Sequence, residues 1–377
     1  MRAIFMSPGS PAELAGEYAP QTSAVILFRP VTPAGSGTYP GRNGDTEASR
    51  TMQSTRKWRD LVKAMEALGG RRPLEAEQFA ERAYAYALNP LRNPLKEIMD
   101  KCPSVEETPP VLGIFNDIPW HRFRESEAHA WAKAGFLWIV NDAEHSQWEG
   151  NYGREQNAAE GRLGLLSVQR LHREALSAYG DAYQLGARAT LRPYGTTYED
   201  AERYLRSVNF PVPGQATPYD RGGYPVRTGD RTMMFTPDDL RGAETEVQGW
   251  VQFETKEYIV DRKLRDQILD LMVQQGRNKS CGFVGPFDAI LREGDLPEIN
   301  DAVNELFRAA AKVGIHTGRV VGSGSMEDPK DIEDAMVVAI ENGARLISVH
   351  PLTSDMTYRG AAAMAEPFFR ACERCGF

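Results

Sequence analysis

Asp142, Glu144 and His145 fall within four positions of the stretch FLWIVNDAEHSQWEG (136–150), directly after an apolar run of the kind that fills a buried strand. A histidine beside an aspartate is a proton-transfer device, because the acid fixes the ring tautomer and stabilises its protonated form. Two more carboxylates end apolar runs elsewhere. Glu254 follows Gln252 in GWVQFET (249–255), and Asp288 follows Phe287 in SCGFVGPFD (280–288). Carboxylates from separate strands make a hard oxygen site for Mg2+ or Mn2+, with positions left for water or substrate. Arg170 closes GLLSVQR (164–170), and a guanidinium suits bidentate binding of a carboxylate. A divalent ion, a carboxylate clamp and a base together point to chemistry on a 2-keto acid, whose enolate the ion would stabilise. Each acid alone has a plainer reading, since an acid at a strand end often N-caps the next helix. The combination on several strand ends is what argues for a site.

Such residues need elements that bring strand ends together. From about residue 93, strand-like runs alternate with amphipathic helical ones. The strands are VLGIFND (111–117), FLWIVND (136–142), GLLSVQR (164–170), ATLRPYG (189–195), GWVQFET (249–255), SCGFVGPFD (280–288), HTGRVVGSGS (316–325) and RLISVHPLT (345–353). Helical runs such as 298–314 and 330–344 lie between them. Eight strand–helix repeats fit a (β/α)8 TIM barrel, whose chemistry sits at the C-terminal strand ends. An open doubly wound sheet is the alternative, but no GxGxxG marks an early strand–helix turn. GSGS (322–325) reads as a barrel loop. The domain division expected is a barrel over 93–377 and an N-terminal extension over 1–92. That extension holds a Gly/Pro-rich loop (29–45), a strand-like AVILFRPV (24–31) and helices over 54–70 and 75–88. Its apolar faces predict packing on the barrel or at a subunit interface.

The remaining composition narrows the partners. A net charge of −8 without a dense basic block argues against a nucleic-acid binder. No apolar run approaches a membrane span, and no signal-peptide core is present, so a cytoplasmic protein is expected. Four cysteines in 377 residues fit a reducing compartment. Cys372 and Cys375 form a CxxC that reads as a casual helical pair. His350 either lines the barrel mouth or packs at a strand end, whereas His121, His129, His172 and His316 read as surface or packing residues.

The order of these motifs resembles the HpcH/HpaI aldolase and citrate lyase family of metal-dependent class II pyruvate aldolases. NDAEHSQ is similar to its D-x-E-H signature, and GARATLRPYGTTYEDAERYL to its Gly-Ala, strand, Pro, Glu-Ala helix segment. VQFETKE is similar to its Q-x-E-T strand and GFVGPFD to its G-P-x-D strand. The resemblance covers about residue 93 onward. It implies Glu254 and Asp288 as ligands of one divalent cation (Mg2+, Mn2+ or Co2+), and His145 as general acid/base paired with Asp142. It implies Arg170 against the keto acid, with Arg173 a competitor for that place. The backbone amides of Phe287 and Asp288 would hold the substrate carboxylate, and Gln252 and Glu144 would support. The implied activity is a carbon–carbon lyase or aldolase working through a metal-bound pyruvate-type enolate, on a 2-keto acid and an aldehyde or related acceptor. Decarboxylative addition or 3-hydroxyacyl-CoA lysis would use the same enolate, and a non-catalytic binding barrel is the reading from another class. The resemblance also implies a homo-oligomer, a hexamer. The chain departs from the family in the VQRLHRE context of Arg170, in Ala289, and in PVPGQATPYDRGGYP (211–225) after the fourth strand.

Overall fold

The computed structural model describes residues 76–89, 92–116, 125–144, 150–172, 182–183, 185–208, 246–285, 289–290, 297–321, 328–350 and 358–377. Eight strands lie within them: Val111–Asn116 (β1), Trp138–Asp142 (β2), Leu166–Arg170 (β3), Ala189–Arg192 (β4), Gln248–Phe253 (β5), Ser280–Val284 (β6), His316–Val321 (β7) and Leu346–Val349 (β8). Each pairs in parallel with the next, and β8 pairs back onto β1, so the sheet closes. The closure excludes the open-sheet alternative. The described helices are Ala76–Leu88 (α1), Pro94–Lys101 (α2), Glu125–Ala134 (α3), Gly150–Arg162 (α4), Tyr198–Val208 (α5), Lys256–Val260 (α6), Arg262–Gln274 (α7), Pro297–Lys312 (α8), Pro329–Glu341 (α9) and Tyr358–Arg374 (α10). Each strand read from the sequence is present but shorter. β6 ends at Val284 and β7 at Val321, ahead of the glycine-containing GPFD and GSGS stretches.

Alternation along each strand divides two cores. Trp138, Val140, Leu166, Val168, Leu191, Trp250 and Phe283 fill the barrel interior, while Ile139, Val251 and Val284 join the helix-facing core. The interior is an aromatic stack. Trp138 meets Trp250 edge-on at 5.2 Å and Phe283 at 5.8 Å. Burying a side chain such as Phe283 contributes about 1.5–3 kcal/mol. Gly113 is paired with Trp138 across β1 and β2. A Cβ there would lie 2.1 Å from the indole ring, so only glycine leaves room for it.

The N-terminal end of the barrel is plugged. Asn93 caps α2, its side chain accepting from the Lys96 amide at 3.0 Å, and Pro94 opens the helix. Leu95 and Met99, one turn apart, enter the interior core beside Val111 and Gln248 at the strand starts. The opposite end is left for chemistry.

The helix expected over 75–88 is α1. It lies on α4, with Arg82 Nη1 donating to the Leu163 carbonyl at 3.3 Å and the Tyr86 ring against Gly161. The strand-like run 24–31, the loop 29–45 and the helix expected over 54–70 lie outside the described residues. Cys372 is buried in α10, and both cysteines of the CERC pair are free thiols.

Candidate active site

The C-terminal strand ends bring together Asp142, Arg170, Gln252 and Glu254. Asp142 and Arg170 are register partners at the ends of β2 and β3, and the alternation points both inward. Arg170 is only 8% exposed. Its Nη1 lies 3.6 Å from Asp142 Oδ2, and its Nη2 is ion-paired with Glu144 Oε2. Its Cζ sits 5.2 Å over the Phe115 ring on β1, a cation–π contact. Burial alone would lower the guanidinium's pKa, but the carboxylates of Asp142, Glu254 and Glu144 outweigh it and hold Arg170 above its ordinary range. The arginine is therefore a fixed cation at the mouth, aimed by Asp142 at the end of β2 and Glu144 two residues beyond it.

Asp142 also starts the loop that carries the acid–histidine motif. Its Oδ1 accepts from the Glu144 amide at 3.0 Å, an Asx turn. His145 lies outside the described residues, so the Asp142–His145 pairing does too. Glu144 takes a definite role as the acid that grips Arg170. Arg173 is also outside the described residues.

Glu254 stands one residue beyond β5 and is 3% exposed. Its Oε1 accepts the Tyr194 amide and its Oε2 accepts from Gln252 Nε2. Tyr194 reaches Glu254 by adopting a left-handed backbone, φ +59°. A non-glycine residue there costs on the order of 1–3 kcal/mol, and such strain concentrates at functional sites. The β4–α5 loop is pinned for this contact: Thr255 Oγ1 donates to the Gly195 carbonyl at 2.7 Å, and Tyr258 Oη to Thr197 at 2.7 Å.

Gly285, the residue after β6, lies against the same pair. A Cβ there would be 3.1 Å from Gln252 Nε2 and 4.0 Å from Glu254 Cβ. Gly285 thus stands beside Glu254, and Phe287 and Asp288 lie outside the described residues. Among the described residues no three His, Cys, Asp or Glu side chains cluster as metal ligands. The donors present nonetheless suit a hard cation. Glu254 offers carboxylate oxygen, and the buried Gln252 Oε1 has no hydrogen-bond partner. A buried acceptor left unmet costs about 1–3 kcal/mol, which a bound cation or its water would relieve.

Two features of the mouth were not read from the sequence. Phe115 packs under Arg170, but an apolar residue at a strand end looks like ordinary core. The amide of Tyr194 leaves no side-chain signature at all. His350, one of whose two readings was a mouth position, stacks on Phe115 with ring centroids 5.5 Å apart.

No family model and no curated protein matches the chain. Solved structures do. An HpcH/HpaI aldolase/citrate lyase family protein from Burkholderia cenocepacia superposes with a TM-score of 0.54 at 23% identity, over 75% of this chain and 97% of its own. The HpcH/HpaI aldolase from Desulfitobacterium hafniense gives 0.51 at 17% identity, over 64% of this chain and 86% of its own. These likenesses show a shared barrel fold.

Proposed function

We propose that this chain is an aldolase or carbon–carbon lyase of the HpcH/HpaI type, acting on a 2-keto acid through a pyruvate-type enolate and dependent on one divalent cation, Mg2+, Mn2+ or Co2+. The observation that carries the reading is Glu254: a buried carboxylate at the catalytic end of a TIM-barrel-type (β/α)8 fold, oriented by Gln252 and a strained amide, within the electrostatic reach of a fixed arginine. The order of the D-x-E-H, Q-x-E-T and G-P-x-D motifs and the fold shared with aldolases of this type support it.

In this reading Glu254 and Asp288 would hold the cation, which would supply Lewis acidity toward the keto acid. Gln252 fixes the Glu254 carboxylate. Arg170, gripped by Asp142 and Glu144, binds the keto acid and stabilises the negative charge that develops on its oxygen in the enolate. The amides of Phe287 and Asp288 bind the substrate carboxylate. His145 takes the proton from the hydroxyl of an aldol being cleaved, and returns it when the bond is made. The acceptor is an aldehyde or related carbonyl. We further infer a cytoplasmic homo-oligomer; the free state of all four cysteines is in keeping with a reducing compartment, and among the described residues no helix is long and apolar enough to cross a membrane.

The test is metal removal and return with pyruvate and a panel of aldehydes. Chelated protein should lose carbon–carbon bond formation and regain it with Mn2+, Mg2+ or Co2+, and Glu254→Ala should stay inactive at any metal concentration. Full activity of metal-free Glu254→Ala protein would overturn the reading.

A further inference from the structure

Arg170 is held by charge more than by directed bonds. Among the described residues its Nη2 donates to Glu144 Oε2, while Asp142 Oδ2 lies 3.6 Å from Nη1, an attraction without a hydrogen bond. Its buried Nε has no hydrogen-bond partner. Charge attraction has little directionality, and one bond at one tip lets the guanidinium plane swing about it. Glu144 is also a loose anchor, because it stands two residues beyond the end of β2. These contacts keep the cation in place without setting its plane.

Phe115 is placed to set it. The residue is next to last in β1, faces the barrel interior and is 5% exposed. Arg170 Cζ lies over its ring, 5.2 Å from the centroid. An aromatic face is a flat surface of negative charge density, which suits a planar cation. The ring is itself anchored in the core. Phe283 of β6 stacks with it, centroids 6.1 Å apart and planes 22° apart. Phe283 in turn meets Trp138 of β2 at 5.8 Å and Trp250 of β5 at 6.2 Å. Phe115 is therefore the upper end of the interior aromatic stack, tied to three other strands. A group supported by packed strands keeps its geometry better than one supported by a loop.

We propose that Phe115 is the positioning residue for Arg170: its ring face fixes the plane in which the guanidinium meets the keto acid, while Asp142 and Glu144 hold the charge. This rests on the aldolase reading above. The fork of a guanidinium binds oxygens that lie in its own plane, so its orientation decides how well it meets the charge that develops on the keto oxygen. Loss of the aromatic face would leave the cation present and misaligned. A side chain that merely filled space would act through its volume, whereas this role acts through the electron density of the ring face.

Ring fluorination separates the two, because each fluorine withdraws charge from the face and changes the shape little. Mono-, di- and trifluorinated phenylalanine at position 115 can be compared by kcat/KM for pyruvate in metal-dependent exchange of its methyl protons in D2O. The values should fall in that order, by about 10-fold at the trifluorinated ring, within the range of a desolvated cation–π contact. Phe115→Leu should fall at least as far. In an Arg170→Gln background the same series should be flat, since a neutral amide gives the ring no charge to hold. Equal kcat/KM across the fluorinated series, with exchange intact in the wild type, would overturn this inference alone. So would a series as steep in the Arg170→Gln background as in the wild type. Absence of exchange in the metal-replete wild type would overturn it together with the aldolase reading.

Discussion

Replacing Glu160 by glutamine should flatten the pH dependence of stability, and the size of the effect follows from where the residue sits. Glu160 is on α4 and fully buried, against Asn141 of β2 and Ser167 of β3 on their outward faces. Asn141 Nδ2 approaches both of its oxygens at 3.1 Å, and Gln156 Nε2 donates at 2.8 Å. Ser167 and Gln169 continue the cluster through Asn157. Burial pushes the Glu160 carboxyl from an ordinary 4.5 up to about 7, against the opposing pull of Gln156, Asn141 and Ser167. A raised folded-state pKa means that the unfolded chain releases the proton first. The folded state therefore loses stability as pH rises above about 4.5, and the loss levels off above about 7. With each pH unit between the unfolded and folded pKa worth about 1.4 kcal/mol, the full loss is on the order of 3 kcal/mol, most of it falling between pH 5 and 8. Urea unfolding of wild type and Glu160→Gln at those two pH values isolates the effect, because every other titrating group cancels in the difference. The variant should gain on the wild type by about 2 kcal/mol on going from pH 5 to pH 8. An equal difference at the two pH values would refute the claim that Glu160 is a buried acid titrating near neutrality.

Three further outcomes follow from the site and the barrel. Arg170→Lys keeps a cation but loses the planar fork held by Asp142 and Glu144; with charge-assisted bonds worth about 1.5–3 kcal/mol, kcat/KM for the keto acid should fall about 10–100-fold, and unchanged steady-state kinetics would remove Arg170 from the substrate side. Tyr194→Pro lacks the amide that Glu254 accepts and cannot adopt φ +59°, so Mn2+ affinity by titration calorimetry should weaken, whereas Tyr194→Gly should bind like wild type; equal affinity in all three would detach that amide from the metal site. Gly113→Ala places a Cβ in the Trp138 ring, and overpacking of this kind should cost about 1–3 kcal/mol in denaturant melts; an unchanged unfolding midpoint would show that the indole yields freely.

The barrel was legible because its signal is periodic. Runs such as FLWIVND are apolar enough to be buried on both faces, and eight of them alternating with helical runs leave few topologies. Strand ends were less sharp, since apolar content does not stop where pairing stops, as at Val284 and Val321. Within the site, Asp142, Arg170, Gln252 and Glu254 were legible as polar groups ending apolar strands. What joins them was not. That Glu144 grips Arg170 depends on the Asx turn after β2. That a backbone amide aims Glu254 depends on a left-handed tyrosine, which residue type does not signal. Helix α4 shows the same limit in its packing. GNYGREQNAAEGR has the composition of a solvated surface helix, yet Gln156, Asn157 and Glu160 are buried, because the outward faces of β2 and β3 present Asn141, Ser167 and Gln169 as partners.

The central claim is that Glu254 belongs to a site that would hold a divalent cation, whose Lewis acidity would make the methyl protons of a 2-keto acid acidic enough to pass to solvent water. Exchange of the pyruvate methyl protons in D2O, followed by proton NMR without any aldehyde present, measures that step directly. Metal-replete wild type should wash the methyl signal out, chelator should stop the exchange, added Mn2+ should restore it, and Glu254→Ala should show none under any condition. Exchange that proceeds equally in chelated protein or in Glu254→Ala, or no exchange in the metal-replete wild type, would contradict the account.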